Sequence, residues 1–188
     1  MSTPVLPAAY RLTYADWVEF PEDGPRYQII DGELFGSLTP SIRHQDVSGN
    51  LYSYMRRHLK ETNRGRIFYA PTRVRLSDER IVEPDLLVVL SEHSDLIGTQ
   101  IIEGAPDLVV EILSPGTAGR DLVMKHELYE RAGVAEYWIV DVEAGNIEVL
   151  ALERGKSDYA RSGLLRRGET CGLPCLPELT IPLDEVFE

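Results

Sequence analysis

Apolar residues recur at every fourth position in Val47, Leu51, Met55 and Leu59, the stripe of a helix that buries one face. Pro40 and Ser41 stand ahead of it. A long helix is therefore predicted to run to about Lys60, capped by Ser41 or Thr39. Elsewhere the apolar positions are consecutive. Residues 86–90 (LLVVL), 108–113 (LVVEIL) and 137–142 (YWIVDV) read as strands buried on both faces. Residues 72–76 (TRVRL) alternate, which predicts a strand with one wet face, set off by Pro71 from a strand at 67–70. Asp31-Gly32 lies between two short apolar runs at 27–30 and 33–35. That dipeptide predicts a hairpin, because a type I′ turn needs positive φ at both central residues. A short helix is predicted at 13–20 with Trp17 and Val18 facing inward. A second long helix is predicted at 120–132, ended by Gly133. Residues 147–152 and 159–165 read as a hairpin-like edge. Strands mixed with two main helices predict an α/β domain with a central mixed sheet. Neither a repeat nor a low-complexity linker interrupts the pattern, so one domain is expected over residues 1–188.

Composition narrows the class. The chain has 188 residues, 43% hydrophobic and 27% charged, which suits a folded domain rather than a disordered one. No apolar run approaches the roughly 20 residues of a membrane span, and the first residues lack a basic, then apolar, leader. The expectation is a soluble cytoplasmic protein that makes no membrane contact. Cys171 and Cys175 are too few for a disulfide framework and have no neighbouring Cys or His pair to complete a zinc site.

The formal net charge is −12, which first argues against a protein that coats nucleic acid. The charge is uneven, however. Arg56, Arg57, Lys60, Arg64, Arg66, Arg73 and Arg75 lie within twenty positions that contain one acid, Glu61. Such a local basic face binds phosphates even in an acidic protein; the alternative is that these arginines pair with acids elsewhere.

Glu111 is the most informative residue, a carboxylate in the middle of a buried strand. Burying it costs several kcal/mol unless it is paired. Asp85 follows Pro84 at the start of the 86–90 strand, so two adjacent strands would bring two acids to one point. Such a pair repels unless a cation lies between them, and a hard divalent ion accepts carboxylate and carbonyl oxygens. Lys125 shares a helix face with Asp121 and Tyr129. Taken alone, Asp121 and Lys125 read as a surface ion pair. Beside two acids, the ammonium reads as a stabiliser of charge on a phosphate. Asp107, Tyr137, Trp138 and Ser114 read as structural, and Asp141 as the partner of a basic residue. His44 opens the long helix near the same point.

These residues carry a resemblance. Pro84-Asp85 with Glu111 resembles the PD-(D/E)XK nuclease signature. The run GAPDLVVEILSP at 104–115 is similar to the core motif of the putative restriction endonuclease family in that superfamily. So are the block Asp121-Leu122-Val123-Met124-Lys125 with Tyr129, the block GVAEYWIVD at 133–141, and Asp31-Gly32-Glu33-Leu34 with His44. The resemblance spans about residues 14–187. It implies a restriction-endonuclease-like fold and an endonuclease that cuts DNA with Mg²⁺ or Mn²⁺. Asp85, Glu111 and the backbone carbonyl of Ile112 are then the metal ligands, and Asp85, Glu111 and Lys125 the catalytic set. Gln28 and His44 support them, Arg56, Arg57, Arg73 and Arg75 contact DNA, and the protein acts as a homodimer. Two departures stand out. Leu113 occupies the place of the signature lysine, which moves the role to Lys125, and Gln28 stands where the family shows a glutamate. A catalytically impaired binding or scaffold protein and a hydrolase of small phosphoesters are the alternatives.

Overall fold

The computed structural model describes residues 10–21, 26–36, 39–114, 118–153, 155–173 and 175–188, with residues 118–121 and 173 described by backbone alone. Helix α1 (Tyr14–Val18) leads into β1 (Tyr27–Ile30) and β2 (Glu33–Gly36). Asp31 and Gly32 join them with φ of +48 and +75, the left-handed pair expected of Asp-Gly. A Cβ added at Gly32 would lie 2.7 Å from the Cβ of Arg11, so the turn has no room for a side chain there. Helix α2 (Ile42–Thr62) begins at Ser41, whose Oγ accepts the N–H of His44. Its buried face is the predicted stripe extended one turn by His44. Each apolar side chain in that stripe contributes roughly 1.5–3 kcal/mol through burial.

The chain continues through β3 (Gly65–Tyr69), β4 (Val74–Ser77), β5 (Arg80–Val82) and β6 (Leu86–Leu90). A short 3-10 helix (Ser91–Leu96), β7 (Ile102–Glu103), β8 (Leu108–Ile112) and α3 (Ala118–Ala132) follow. The last elements are β9 (Glu136–Asp141), β10 (Asn146–Leu152), β11 (Tyr159–Arg166), β12 (Thr170–Leu173), β13 (Leu176–Pro182) and α4 (Leu183–Val186).

Six strands form the central sheet in the order β11-β10-β9-β8-β6-β3. Only β8 and β9 run parallel within it, so the sheet is mixed, as the pattern predicted. A second sheet, β2-β1-β5-β4-β7, was not foreseen, nor was the β12-β13 pair. The strands at 67–70 and 72–76, adjacent in sequence, part into different sheets here. Strands β6 and β8 are buried along their whole length. Leu86, Val88, Leu108 and Val110 pack in one cluster with the α2 stripe, while Leu87, Val89 and Val109 pack in another with Leu128 and Tyr129 of α3. The sheet is thus covered by a helix on each face.

Two smaller expectations change. Val18 is 55% exposed rather than inward. Helix α1 is barely more than one turn, and Tyr14 and Trp17 rather than Val18 reach the small cluster of Leu12, Ile29 and Ile81. Asp141 bonds the backbone N–H of Ala144 in the following turn, because it sits where the chain reverses into β10. Other buried acids hold the fold. Asp107 accepts from the N–H of Leu90 and from the ring of His93, each at 2.7 Å. Glu136 accepts from the Trp138 indole at 2.7 Å and from the Cys175 N–H at 3.1 Å. Both cysteines are free, and burial with Glu136 nearby pushes the Cys171 thiol up to about 12. Trp138 and Tyr137 are core residues, fully buried. No helix among the described residues is long and apolar enough to cross a membrane.

Candidate active site

Strands β6 and β8 run antiparallel, and Leu86 opposite Val110 is their last pair. One more step of that register sets Asp85 across from Glu111. Cross-strand neighbours have Cβ atoms roughly 4.5–5.5 Å apart, and like charges there repel. The two acids named from sequence therefore converge at the open end of two buried strands.

Other groups fix each carboxylate. Asp85 Oδ2 accepts the backbone N–H of Ile112 at 2.8 Å and lies 3.2 Å from His44 Nε2. The ladder has ended here, so the aspartate takes the place of a strand partner for Ile112. Glu111 Oε2 accepts from Lys125 Nζ at 2.7 Å, and Glu111 Oε1 from the Tyr129 hydroxyl at 2.6 Å. Lys125 and Tyr129 are four apart on α3, which gives both one face toward the sheet. The side chain of Asp121 and residue Pro115 lie outside the described residues.

The electrostatics follow from burial. Desolvation raises the Glu111 carboxyl above its ordinary value, and Asp85 adds to that; Lys125 and Tyr129 act the other way without cancelling it. Burial lowers the affinity of His44 for a proton, but the hydrogen bond and charge of Asp85, then the Ile112 backbone and Glu111, outweigh it. The net shift of His44 is upward. The Tyr129 phenol is held well above its usual range by burial and by Glu111.

These groups open on a cavity of about 330 Å³. Gln28, His44, Asp85, Glu111, Ile112 and Lys125 all line it, so every catalytic, metal and supporting residue named from sequence meets at one place. Leu113 and Ser114 line it as well. Gln28 Oε1 accepts the N–H of Glu83. The predicted DNA-contacting arginines lie elsewhere. Arg73 sits 3.4 Å from Glu83 with its guanidinium 4.3 Å over the Trp17 ring. Arg75 bonds Asp78 at 2.6 Å, approaches Glu103 at 3.6 Å and covers the Tyr14 ring. Arg56 and Arg57 stack over Tyr52 and Tyr54 on α2.

Two buried lining residues with titratable side chains were given no part in the site by the sequence reading. Glu83 is buried, and desolvation raises its carboxyl despite Arg73. It stands two residues before Asp85, and E-P-D was the available signal. Tyr137 is the other. Its hydroxyl is buried with no hydrogen-bond partner among the described residues, as is His44 Nδ1. The register Val109 to Tyr137 puts that ring on the Glu111 side of the sheet, a relation visible only once β8 and β9 are paired.

Residues 13–184 match the family model Uma2, described as putative restriction endonuclease. The chain belongs to the Uma2 family. A solved structure, described as a putative nuclease belonging to DUF820 from Anabaena variabilis, superposes with a TM-score of 0.77 at 18% identity. The match covers 94% of this chain and 97% of that one, and it shows a shared fold. No curated protein matches the sequence. The Uma2 match takes in Asp85, Glu111 and Lys125, together with all the strands of the central sheet.

Proposed function

We propose that this protein is a divalent-metal-dependent endonuclease that hydrolyses phosphodiester bonds in DNA. The observation that carries the reading is the meeting of Asp85 and Glu111 at the open end of β6 and β8, with Lys125 directed onto Glu111. Membership of a family described as putative restriction endonuclease supports the reaction class.

The donor chemistry fits a hard cation. Among the described residues no three His, Cys, Asp or Glu side chains gather into a metal cluster, so two carboxylates need a backbone oxygen beside them. Each Glu111 oxygen accepts one hydrogen bond and keeps lone-pair capacity. The backbone N–H of Ile112 points to Asp85, and a strand residue sends its carbonyl to the same side. Asp85, Glu111 and the Ile112 carbonyl would hold Mg²⁺ or Mn²⁺. Such an ion would supply Lewis acidity toward a phosphoryl oxygen and would lower the pKa of a water. Lys125 stabilises negative charge growing on the phosphate. His44 orients Asp85, and the buried shell keeps both acids in one arrangement. We further propose that the chain acts as a single domain and as a homodimer, which would let two sites address two strands.

The test is nicking of supercoiled plasmid with Mg²⁺, Mn²⁺ or EDTA, beside Glu111→Ala and Lys125→Ala. Nicking is expected with either ion and is lost in EDTA and in both variants. Activity that ignores EDTA or survives Glu111→Ala would refute the mechanism. Gln28 favours a second reading, an impaired member that binds without cutting, because a neutral amide stands where the family shows a carboxylate. Absence of cleavage with folding independent of Mg²⁺ would select it.

A further inference from the structure

A second groove, of about 640 Å³, runs between α2 and the edge strand β3. Arg56, Lys60, Arg66, Tyr52 and Tyr69 line it, and no acidic side chain does among the described residues. In a chain of net charge −12, three cations without an acid in one groove match a polyanion. Tyr69 is 58% exposed and meets the Tyr52 ring edge-on at 5.0 Å. The guanidinium of Arg56 lies 5.9 Å over Tyr52, and that of Arg66 lies 4.9 Å over Phe68. Arg56 and Arg66 thus lie over aromatic faces, from α2 and from the other side of the edge strand β3, and none of the three cations pairs with an acid among the described residues.

The groove and the carboxylate cavity are neighbours along the chain. Tyr69 and Pro71 line the groove, while Ala70 between them lines the cavity and donates its N–H to the Asp85 carbonyl. Residues 52, 56 and 60 span about 12 Å of helix, room for a few nucleotides.

We infer that this groove binds a single-stranded segment of a polynucleotide and leads it to the carboxylate site. Phosphates lie against Arg56, Lys60 and Arg66, and a base stacks on Tyr69. Stacking on an exposed ring needs a base whose face is free, which a duplex hides and a single strand offers. The inference rests on the nuclease reading only for the direction of travel toward Asp85; binding in the groove stands by itself.

Fluorescence anisotropy in EDTA separates the two. The probes are labelled oligo-dT and oligo-U of about 15 nucleotides, a length near the upper end of known single-strand sites, and a duplex of equal length. The wild type should bind either single strand in preference to the duplex. Tyr69→Ala should weaken single-strand binding at least about fivefold and leave the duplex unchanged. Lys60→Glu with Arg66→Glu should weaken it at least about tenfold and flatten the logarithmic salt slope by about 0.7 for each phosphate left without its cation. The same charge change made elsewhere, Arg131→Glu with Arg161→Glu, should bind as the wild type. Urea midpoints check folding, with Lys60→Gln and Arg66→Gln as milder replacements. Groove variants that bind within twofold of the wild type would overturn the inference. So would an equal loss in the remote pair, which would mean that net charge alone matters. Metal-dependent nicking of plasmid by the wild type, with groove variants that bind the single strands as tightly as the wild type, would overturn the groove and leave the nuclease standing. Groove-dependent binding without any nicking would do the reverse.

Discussion

Replacing Lys125 by Met tests the electrostatics of the site through stability rather than activity. Nζ lies 2.7 Å from Glu111 Oε2, and both side chains are largely buried. At an effective dielectric of 20, that separation corresponds to an attraction of about 6 kcal/mol, most of it offset by desolvation of the two groups. Removing the cation leaves a buried carboxylate with the Tyr129 hydroxyl, and the folded protein can then protonate Glu111. Protonation limits the damage. Relative to an unfolded glutamate with an ordinary value of 4.5, holding the neutral acid at pH 7.5 costs about 4 kcal/mol, and at pH 5.5 about 1.4 kcal/mol. The sign follows from a carboxyl raised in the fold. The stability is full below 4.5 and is lost as pH rises toward the folded value, more so in the variant than in the wild type. Urea unfolding followed by tryptophan fluorescence should therefore show a deficit for Lys125→Met that nearly vanishes near pH 4.5. The deficit should grow with pH to at most about 4 kcal/mol at pH 7.5. Adding Glu111→Gln should remove the pH dependence and restore most of the loss. A deficit of constant size between pH 5 and 7.5, or no rescue by Glu111→Gln, would refute the assignment of Lys125 as the compensating charge.

Glu136→Gln keeps one acceptor for two donors, Trp138 Nε1 and the Cys175 N–H, and should lose about 1–3 kcal/mol in urea unfolding. Burial raises the Glu136 carboxyl, so wild-type stability falls as pH rises above 4.5, and the deficit of Glu136→Gln should shrink over that range. Gly32→Ala forces a side chain onto Arg11 at φ +75 and should cost about 1–3 kcal/mol, read as a lower urea midpoint with unchanged slope. His44→Ala removes the ring beside Asp85 and should slow nicking about 10–100-fold while the protein still folds, measured with saturating Mg²⁺.

Elements with a strong period or a strong turn were legible. The α2 stripe, the Asp-Gly hairpin and the two five-residue runs of β6 and β8 each carry several concordant residues. Strands β5 and β7 span three and two residues, too short for any alternation to register. They exist because a neighbouring strand offers them partners, and so the second sheet was invisible. Glu111 stood out because a charge inside an apolar run is costly and demands a reason, Asp85 because it starts the adjacent strand, and Lys125 because it shares a helix face with Tyr129. Tyr137 was not, because its ring reads as core and its place in the cavity wall depends on the pairing of β8 with β9. Arg73 and Arg75 could not be separated from Arg56 and Arg66 by composition. What separates them is that Arg73 and Arg75, at the start of β4, lie over Trp17 and Tyr14 of α1 and pair with Glu83, Asp78 and Glu103, whereas α2 and β3 carry the others along a groove without an acid among the described residues.

The proposed transfer of the lysine's role from position 113 to Lys125 has a physical basis in this fold. Residue 113 has the same strand parity as Glu111, so a lysine there would point from β8 toward the face covered by α3. Leu113 does line the cavity, and so does Lys125, approaching from α3. The two positions open on one space from opposite walls. A helix side chain can therefore supply the ammonium that a strand side chain supplies in the common signature, provided α3 stays packed on Leu87, Val89 and Val109 through Leu128 and Tyr129. The exchange has a structural consequence. A lysine at 113 would be held by its own strand, but Lys125 is held only while the helix is docked. The charge balance of Glu111 thereby depends on the packing between α3 and the sheet, and a cavity cut under Leu128 should loosen the Lys125–Glu111 pair without touching either residue.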